Sequence, residues 1–181
     1  MPSLPKVINT TYIQQHPYFS ARKDKYQTES GKIIPEYFVV EMPDSACAVA
    51  ITESNQIILV EQYRHPIAQM MLELPGGFIE KNEQIQSAIA RELLEETGYQ
   101  FDNYQYLGYS YANPGVLNNK THFYLATGGH KISQQALDEN EEITLSLVPI
   151  ADIDKLLALH TFKQCLHELC IRRALAAMPT K

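Results

Sequence analysis

Glu92, Glu95 and Glu96 stand at i, i+3 and i+4 in the run Arg91-Glu92-Leu93-Leu94-Glu95-Glu96-Thr97-Gly98-Tyr99. On a helix this spacing puts three carboxylates on one face, where they converge and repel. Something positive must offset that repulsion. A hard divalent cation with oxygen ligands, Mg²⁺ above all, suits the need. Arg91 can pair with one carboxylate and hold its rotamer, and Glu83 can in turn hold Arg91. The carbonyls of Pro75-Gly76-Gly77 can add a further oxygen ligand. A short acidic run by itself more often just faces water. Here, however, Gly77, Glu83, Arg91, Glu92, Glu95, Glu96 and Gly98 form one spaced set with apolar Leu93 and Tyr99. At average residue frequencies such a set fits a given window about once in a billion, so chance does not explain it.

The elements that must position these residues can be read around them. A helix fits residues 83–97, with Asn82 as N-cap and Gly98 as the left-handed residue that ends it. Ile85, Ile89 and Leu93 give it one apolar stripe for the core. Before it, Leu72-Glu73-Leu74-Pro75-Gly76-Gly77 reads as a stretch where Pro and Gly stop any regular element. Residues 46–52 and 56–63 are apolar runs joined by the turn Glu53-Ser54-Asn55. They form a hairpin whose strands are buried on both faces. Strands are expected again at 104–111, 122–127 and 143–148, and helices at 151–159 and 162–177. The N-terminal 45 residues read as β-rich, with strands at 18–22 and 36–41. Strands, helix, strands, helices is the order of an α+β chain, an α/β/α sandwich rather than repeated βαβ units.

Gly77 to Tyr99 resembles the Nudix box, Gly-x5-Glu-x7-Arg-Glu-U-x-Glu-Glu-x-Gly-U with U apolar, and every fixed position matches. The resemblance implies a Nudix-type α/β/α sandwich. It also implies hydrolysis of a nucleoside diphosphate linked to another moiety, with Mg²⁺ or Mn²⁺ bound by the box. Metal ligands are then expected at Glu92, Glu95, Glu96 and the carbonyl of Gly76. The flanks are similar to the ADP-ribose pyrophosphatase branch. They are Gln62-Tyr63-Arg64-His65-Pro66, the Leu72–Gly77 stretch, Pro114 within Asn113-Pro114-Gly115, and the acidic loop Asp138-Glu139-Asn140-Glu141-Glu142. The segment holding His16-Pro17-Tyr18-Phe19 and Glu36-Tyr37-Phe38 is similar to that branch's N-terminal lobe, which packs across a homodimer. A division into a lobe at 1–45, with a dimerisation role, and a hydrolase domain at 46–181 follows. Asn118-Asn119 stands where the branch often carries a Glu. ADP-ribose, another ADP-sugar, GDP-mannose and a dinucleotide therefore all remain open as substrates.

The chemistry implied is attack of water on a pyrophosphate phosphorus, which needs a base for the water's proton. The box glutamates are committed to metal. Glu141 matches the acidic-loop position that the branch uses, with Glu139 and Glu142 as neighbours able to replace it. Arg91 and Glu95 complete the expected catalytic set. Arg64 suits bidentate pairing with a phosphate. Tyr18, Tyr37 or Phe38 suits stacking on the base, and Glu73 and Pro114 join the substrate-binding set.

Composition narrows the partners. The chain has 181 residues, 45% hydrophobic, with 15 Lys+Arg against 21 Asp+Glu. A net charge of -6 argues against bulk nucleic acid, which wants a basic face. No apolar run reaches the roughly 20 residues that span a bilayer. With no secretory h-region at the start either, a cytoplasmic protein is expected. Cys47, Cys165 and Cys170 read as free thiols rather than a disulfide framework, and His160 and His167 as ordinary helix surface. A second class of function is a Nudix-fold binding or sensor module without catalysis. Such modules typically lose box glutamates, and here none is missing.

Overall fold

A computed structural model describes residues 4–179. The outermost residues of the expected 1–45 and 46–181 segments thus lie outside the described residues. The chain divides into two compact units. One is the described part of Met1–Asp44 together with Tyr111–Lys120; the other comprises Ser45–Ser110 and the rest.

The smaller unit is an antiparallel sheet of β1 (Lys6–Gln14), β2 (Ser20–Gln27) and β3 (Ile33–Glu41) in that order. It has one strand more than the sequence reading named, and β2 runs past the expected 18–22. The charged stretch Arg22-Lys23-Asp24-Lys25 hides the extended segment from a hydropathy reading. Arg22, Lys23 and Asp24 are matched within the sheet, Lys23 by Glu36. Arg22 pairs with Asp24 and Glu41, and the buried Asp24 also accepts a hydrogen bond from Thr10 Oγ1 at 2.7 Å. Residues 111–120 join this unit through Val40 N–H to Val116 O at 2.8 Å.

The larger unit contains an eight-stranded sheet. Its strands are β4 (Ser45–Thr52), β5 (Gln56–Arg64), β6 (Gln69–Glu73), β7 (Gly76–Phe78), β8 (Tyr99–Gln100), β9 (Asn103–Ser110), β10 (Thr121–Lys131) and β11 (Ile143–Pro149). The helices are α1 (Ile85–Thr97), α2 (Ile153–Ala158) and α3 (Cys165–Ala177). β4 runs antiparallel to β5 and parallel to β10 at the centre. Because side chains alternate along a strand, β4 serves two cores. Cys47, Val49 and Ile51 pack with Ile153, Leu157, Leu166 and Ile171 of α2 and α3. Ala46, Ala48 and Ala50 pack with Ile89 and Leu93 of α1. That is the α/β/α sandwich, and it explains why 46–52 is a continuous apolar run.

Two local expectations change. Asn82 has φ 69°, and Gln84 is the N-cap of α1. The stretch around Pro75 does contain strands: β6 ends at Glu73, and β7 resumes at Gly76 by pairing with Cys47 of β4. Tertiary pairing overrides the Pro and Gly signal there. Among the described residues no helix is long and apolar enough to cross a membrane.

Candidate active site

The loop that joins β6 to β7 and the start of β7 meet α1 at Glu96 and Glu92. Gly76 has φ +147°, and a Cβ there would lie 2.1 Å from the carbonyl oxygen of Ala46 and 2.7 Å from Cys47 Cα. Backbone cannot yield as a side chain can, so only glycine lets β7 close on β4. Gly77 serves a different end. A Cβ there would stand 2.5 Å from Glu92 Oε1, so the missing side chain is the space that the Glu92 carboxylate fills. At the other end of α1, Gly98 takes φ 75° and its N–H bonds to Leu94 O, the left-handed stop that its place in the sequence predicts.

Arg91 is the hub of the acidic face. Nε donates to Glu83 Oε1 at 3.0 Å, and NH2 donates to Glu83 Oε2 at 3.0 Å and to Phe78 O at 3.2 Å. NH1 donates to Glu92 Oε1 at 2.9 Å and Glu95 Oε2 at 3.0 Å. One guanidinium thus fixes three carboxylates, and its charge is correspondingly hard to remove: hydrogen bonding to Glu83 leads the causes that raise its pKa, against the opposing effect of burial. The Arg91 hydrogen bonds hold the Glu83 carboxyl below its ordinary range.

Glu96 lies outside that reach. It is 4% exposed, and Gly76 N–H donates to its Oε2 at 2.8 Å. Burial pushes its pKa up to about 8; the Gly76 N–H opposes, Glu92 and Glu141 add to the rise, and Arg64 opposes. Burial also raises Glu92, with Arg91 opposing and Glu95 and Glu141 adding. The cluster is short of positive charge at Glu96 and Glu92, beside the glycine loop. All-oxygen donors with a charge deficit fit a hard divalent cation. Glu92, Glu95, Glu96 and the Gly76 carbonyl are the residues able to hold it.

Two further expected residues adjoin this cluster. Arg64, at the end of β5, donates from Nε to Glu73 at 3.1 and 3.2 Å, and Glu73 also accepts from Gln62 Nε2 at 3.2 Å. Glu73 is 2% exposed. Its carboxylate is engaged inside the protein by Arg64 and Gln62, so any part it takes in substrate binding runs through Arg64. Glu141 is exposed in a turn, with its N–H on Asp138 O and the Asp138 N–H on its own Oε2. Its charge is close enough to raise both Glu92 and Glu96.

Tyr18, Tyr37 and Pro114 belong to the smaller unit. Tyr37 OH donates to Gly115 O at 2.8 Å, next to the exposed Pro114, and its ring stands edge-on to Tyr26. Tyr18 is exposed, with its ring 5.9 Å from that of His16. A separate group, Glu53, Asp102 and His130, brings ligand atoms within 4.8 Å of one another, but at the end of β4 away from the Gly76 loop.

The sequence reading missed His167. Far from ordinary helix surface, it is 8% exposed, and its Nδ1 accepts the Leu74 N–H at 3.2 Å. Its partner is a backbone group far along the chain, which leaves no pattern in the sequence.

This geometry is that of an α/β/α sandwich whose acidic helix faces a glycine loop. The NUDIX domain family matches residues 42–170. Methanol dehydrogenase activator of Bacillus methanolicus is 33% identical over 145 residues, spanning 77% of this chain and 78% of the relative. ADP-ribose pyrophosphatase of Bacillus subtilis is 31% identical over 147 residues, spanning 73% of this chain and 80% of that one. A solved ADP compounds hydrolase superposes with a TM-score of 0.84 at 20% identity, over 97% of this chain and 95% of its own. The chain belongs to the Nudix family, as an ADP-ribose pyrophosphatase-like hydrolase.

Proposed function

We propose that this protein hydrolyses the pyrophosphate bond of a nucleoside diphosphate linked to another moiety, ADP-ribose or a related nucleotide sugar, using Mg²⁺ or Mn²⁺. The observation behind the reading is the complete carboxylate set Glu92, Glu95 and Glu96, organised by Arg91 against Gly76. Relatives named ADP-ribose pyrophosphatase and GDP-mannose pyrophosphatase support the substrate class. Bound at the box, a divalent cation neutralises phosphate charge and makes water a better nucleophile.

The chain's own residues do the rest. Arg64, steadied by Glu73, pairs with a phosphate oxygen of the substrate. Water oxygen bonds to one phosphorus as the bridging P–O bond breaks, and the water's proton passes to Glu141. The products are a nucleoside monophosphate and the phosphorylated second moiety. Tyr18, in the turn before β2, and Tyr37, on β3 of the N-terminal sheet, are exposed aromatics suited to stacking on a base. That sheet also exposes Val7, Ile8, Ile13 and Phe38, and we assign it to a homodimer contact.

A panel of nucleotide sugars and dinucleotides, with Mg²⁺ and separately Mn²⁺, tests the reading. Release of two phosphomonoesters from an ADP-sugar is expected. Failure to cleave any member with either metal overturns it and leaves the binding-module reading.

A further inference from the structure

The segment from Glu73 to Gly76 is held residue by residue. Glu73 grips Arg64 through its carboxylate. Pro75 O accepts from Ala48 N–H at 3.1 Å. Gly76 N–H donates to Glu96. Between them the Leu74 N–H has no strand partner among these contacts; it donates to a side chain of α3, His167 Nδ1. The Leu74 side chain is itself 1% exposed and packs in the core with Leu166 and Ile171 of the same helix.

His167 can accept only while Nδ1 is bare, which requires the neutral ring with its proton on Nε2. The surroundings enforce that form. Burial pulls the His167 pKa down to about 4, with Glu73 opposing and Arg64 assisting. The residue is also fixed at its root: it lies in the first turn of α3, where the His167 backbone N–H donates to Gln164 O, and the Gln164 side chain caps Leu166 N–H.

The peptide that His167 holds lies between two arms of the site. On one side is Glu73 with Arg64, the phosphate-pairing arm; on the other, Pro75-Gly76 and the Glu96 contact, the metal arm. Turning that peptide would swing both. We propose that His167 is a positioning residue of the hydrolytic site, setting through the Leu74 N–H the orientation of both Arg64 and Gly76. This rests on the pyrophosphatase reading for its kinetic consequence, but not for its effect on metal binding.

His167→Asn offers an acceptor oxygen near the place of Nδ1; His167→Gln places its amide too far out, and His167→Leu offers none. Groups that orient metal ligands typically cost about 10- to 100-fold in metal affinity or activity when removed. Losses of that size in kcat, and in affinity for Mn²⁺ alone read by electron paramagnetic resonance, are expected for His167→Leu and His167→Gln. His167→Asn should stay within about threefold of wild type in both, since it keeps the bond and the transition-state contacts that depend on it. In the wild type, a through-hydrogen-bond nitrogen–nitrogen coupling between the Leu74 amide and His167 Nδ1 is expected by NMR. A wild type inactive on every substrate would overturn the pyrophosphatase reading, while the Mn²⁺ and NMR arms still decide the role of His167. Equal behaviour of the Asn and Gln variants, or no coupling in the wild type, overturns the proposal, even if the Leu variant does not fold.

Discussion

Glu96→Gln separates the electrostatic role of this carboxylate from its packing role. The change keeps the shape and leaves an oxygen to accept the Gly76 N–H, but removes a buried charge. Without metal, burial raises the Glu96 pKa from 4.5 to about 8. Between those values the folded state binds a proton that the unfolded chain has released, so stability falls as pH rises. It is fully present below pH 4.5 and lost as pH climbs through about 8. At about 1.4 kcal/mol per pKa unit, the whole interval is worth on the order of 5 kcal/mol. Glutamine has no proton to lose, so the variant lacks this slope. For a chain of this size a kcal/mol moves the midpoint by roughly 2–4 °C. Thermal unfolding in a chelator should therefore show the variant melting higher than wild type by about 10 °C near pH 9, with the gap closing in mild acid. Turnover in saturating Mg²⁺ should fall by at least about a hundredfold, as charge stabilisation in the site is lost. Parallel stability curves for the two proteins, or near-normal turnover in the variant, would refute the reasoning.

Glu141→Gln should lower kcat by about two to four powers of ten with little change in KM, the usual worth of a general base; Glu139→Gln and Glu142→Gln are the controls, and slow turnover in one of them instead moves the base within the loop. Gly77→Ala should fold, because its new methyl meets the Glu92 side chain at 2.5 Å rather than backbone, yet lose Mn²⁺ affinity as Glu92 is displaced; unchanged affinity by titration would show that Glu92 is no ligand. Sedimentation at micromolar concentration should report a dimer that Phe38→Asp weakens, and a monomeric wild type would remove the homodimer assignment.

The legibility of the site follows the distance over which its residues act. Glu92, Glu95 and Glu96 were readable because helix periodicity alone puts them together, and Arg91 and Glu83 because they lie within the same helix and its approach. The reason for Gly77 was not readable: that it makes room for Glu92 emerges only when β7 is placed against α1. That Glu73 is buried with its carboxylate on Arg64 was likewise not readable from the chain. β6 and β7 escaped detection because Pro75 and two glycines break the local signal, and their strand pairing comes from β4 and β5. His167 was invisible for the strictest reason, since its partner is a peptide N–H, and any residue could supply that.

The alternation in β4 connects the fold to the chemistry. Ala46, Ala48 and Ala50 present only methyl groups toward α1, so the helix lies close against the sheet. That approach is what buries Glu96 and brings its carboxylate to the Gly76 N–H at 2.8 Å. Larger residues at these positions would lift α1, return Glu96 toward water and lower its pKa toward an ordinary value. The opposite face of the same strand carries Cys47, Val49 and Ile51 against α3, the helix that presents His167 to Leu74. The glycine loop is thus fixed from both layers of the sandwich, by Glu96 from α1 and by His167 from α3. A site of repelling carboxylates needs such a two-sided hold, because each charge would gain free energy by swinging into solvent. The rigid loop makes that escape costly, so the cation proposed for this site would meet its ligands already in place.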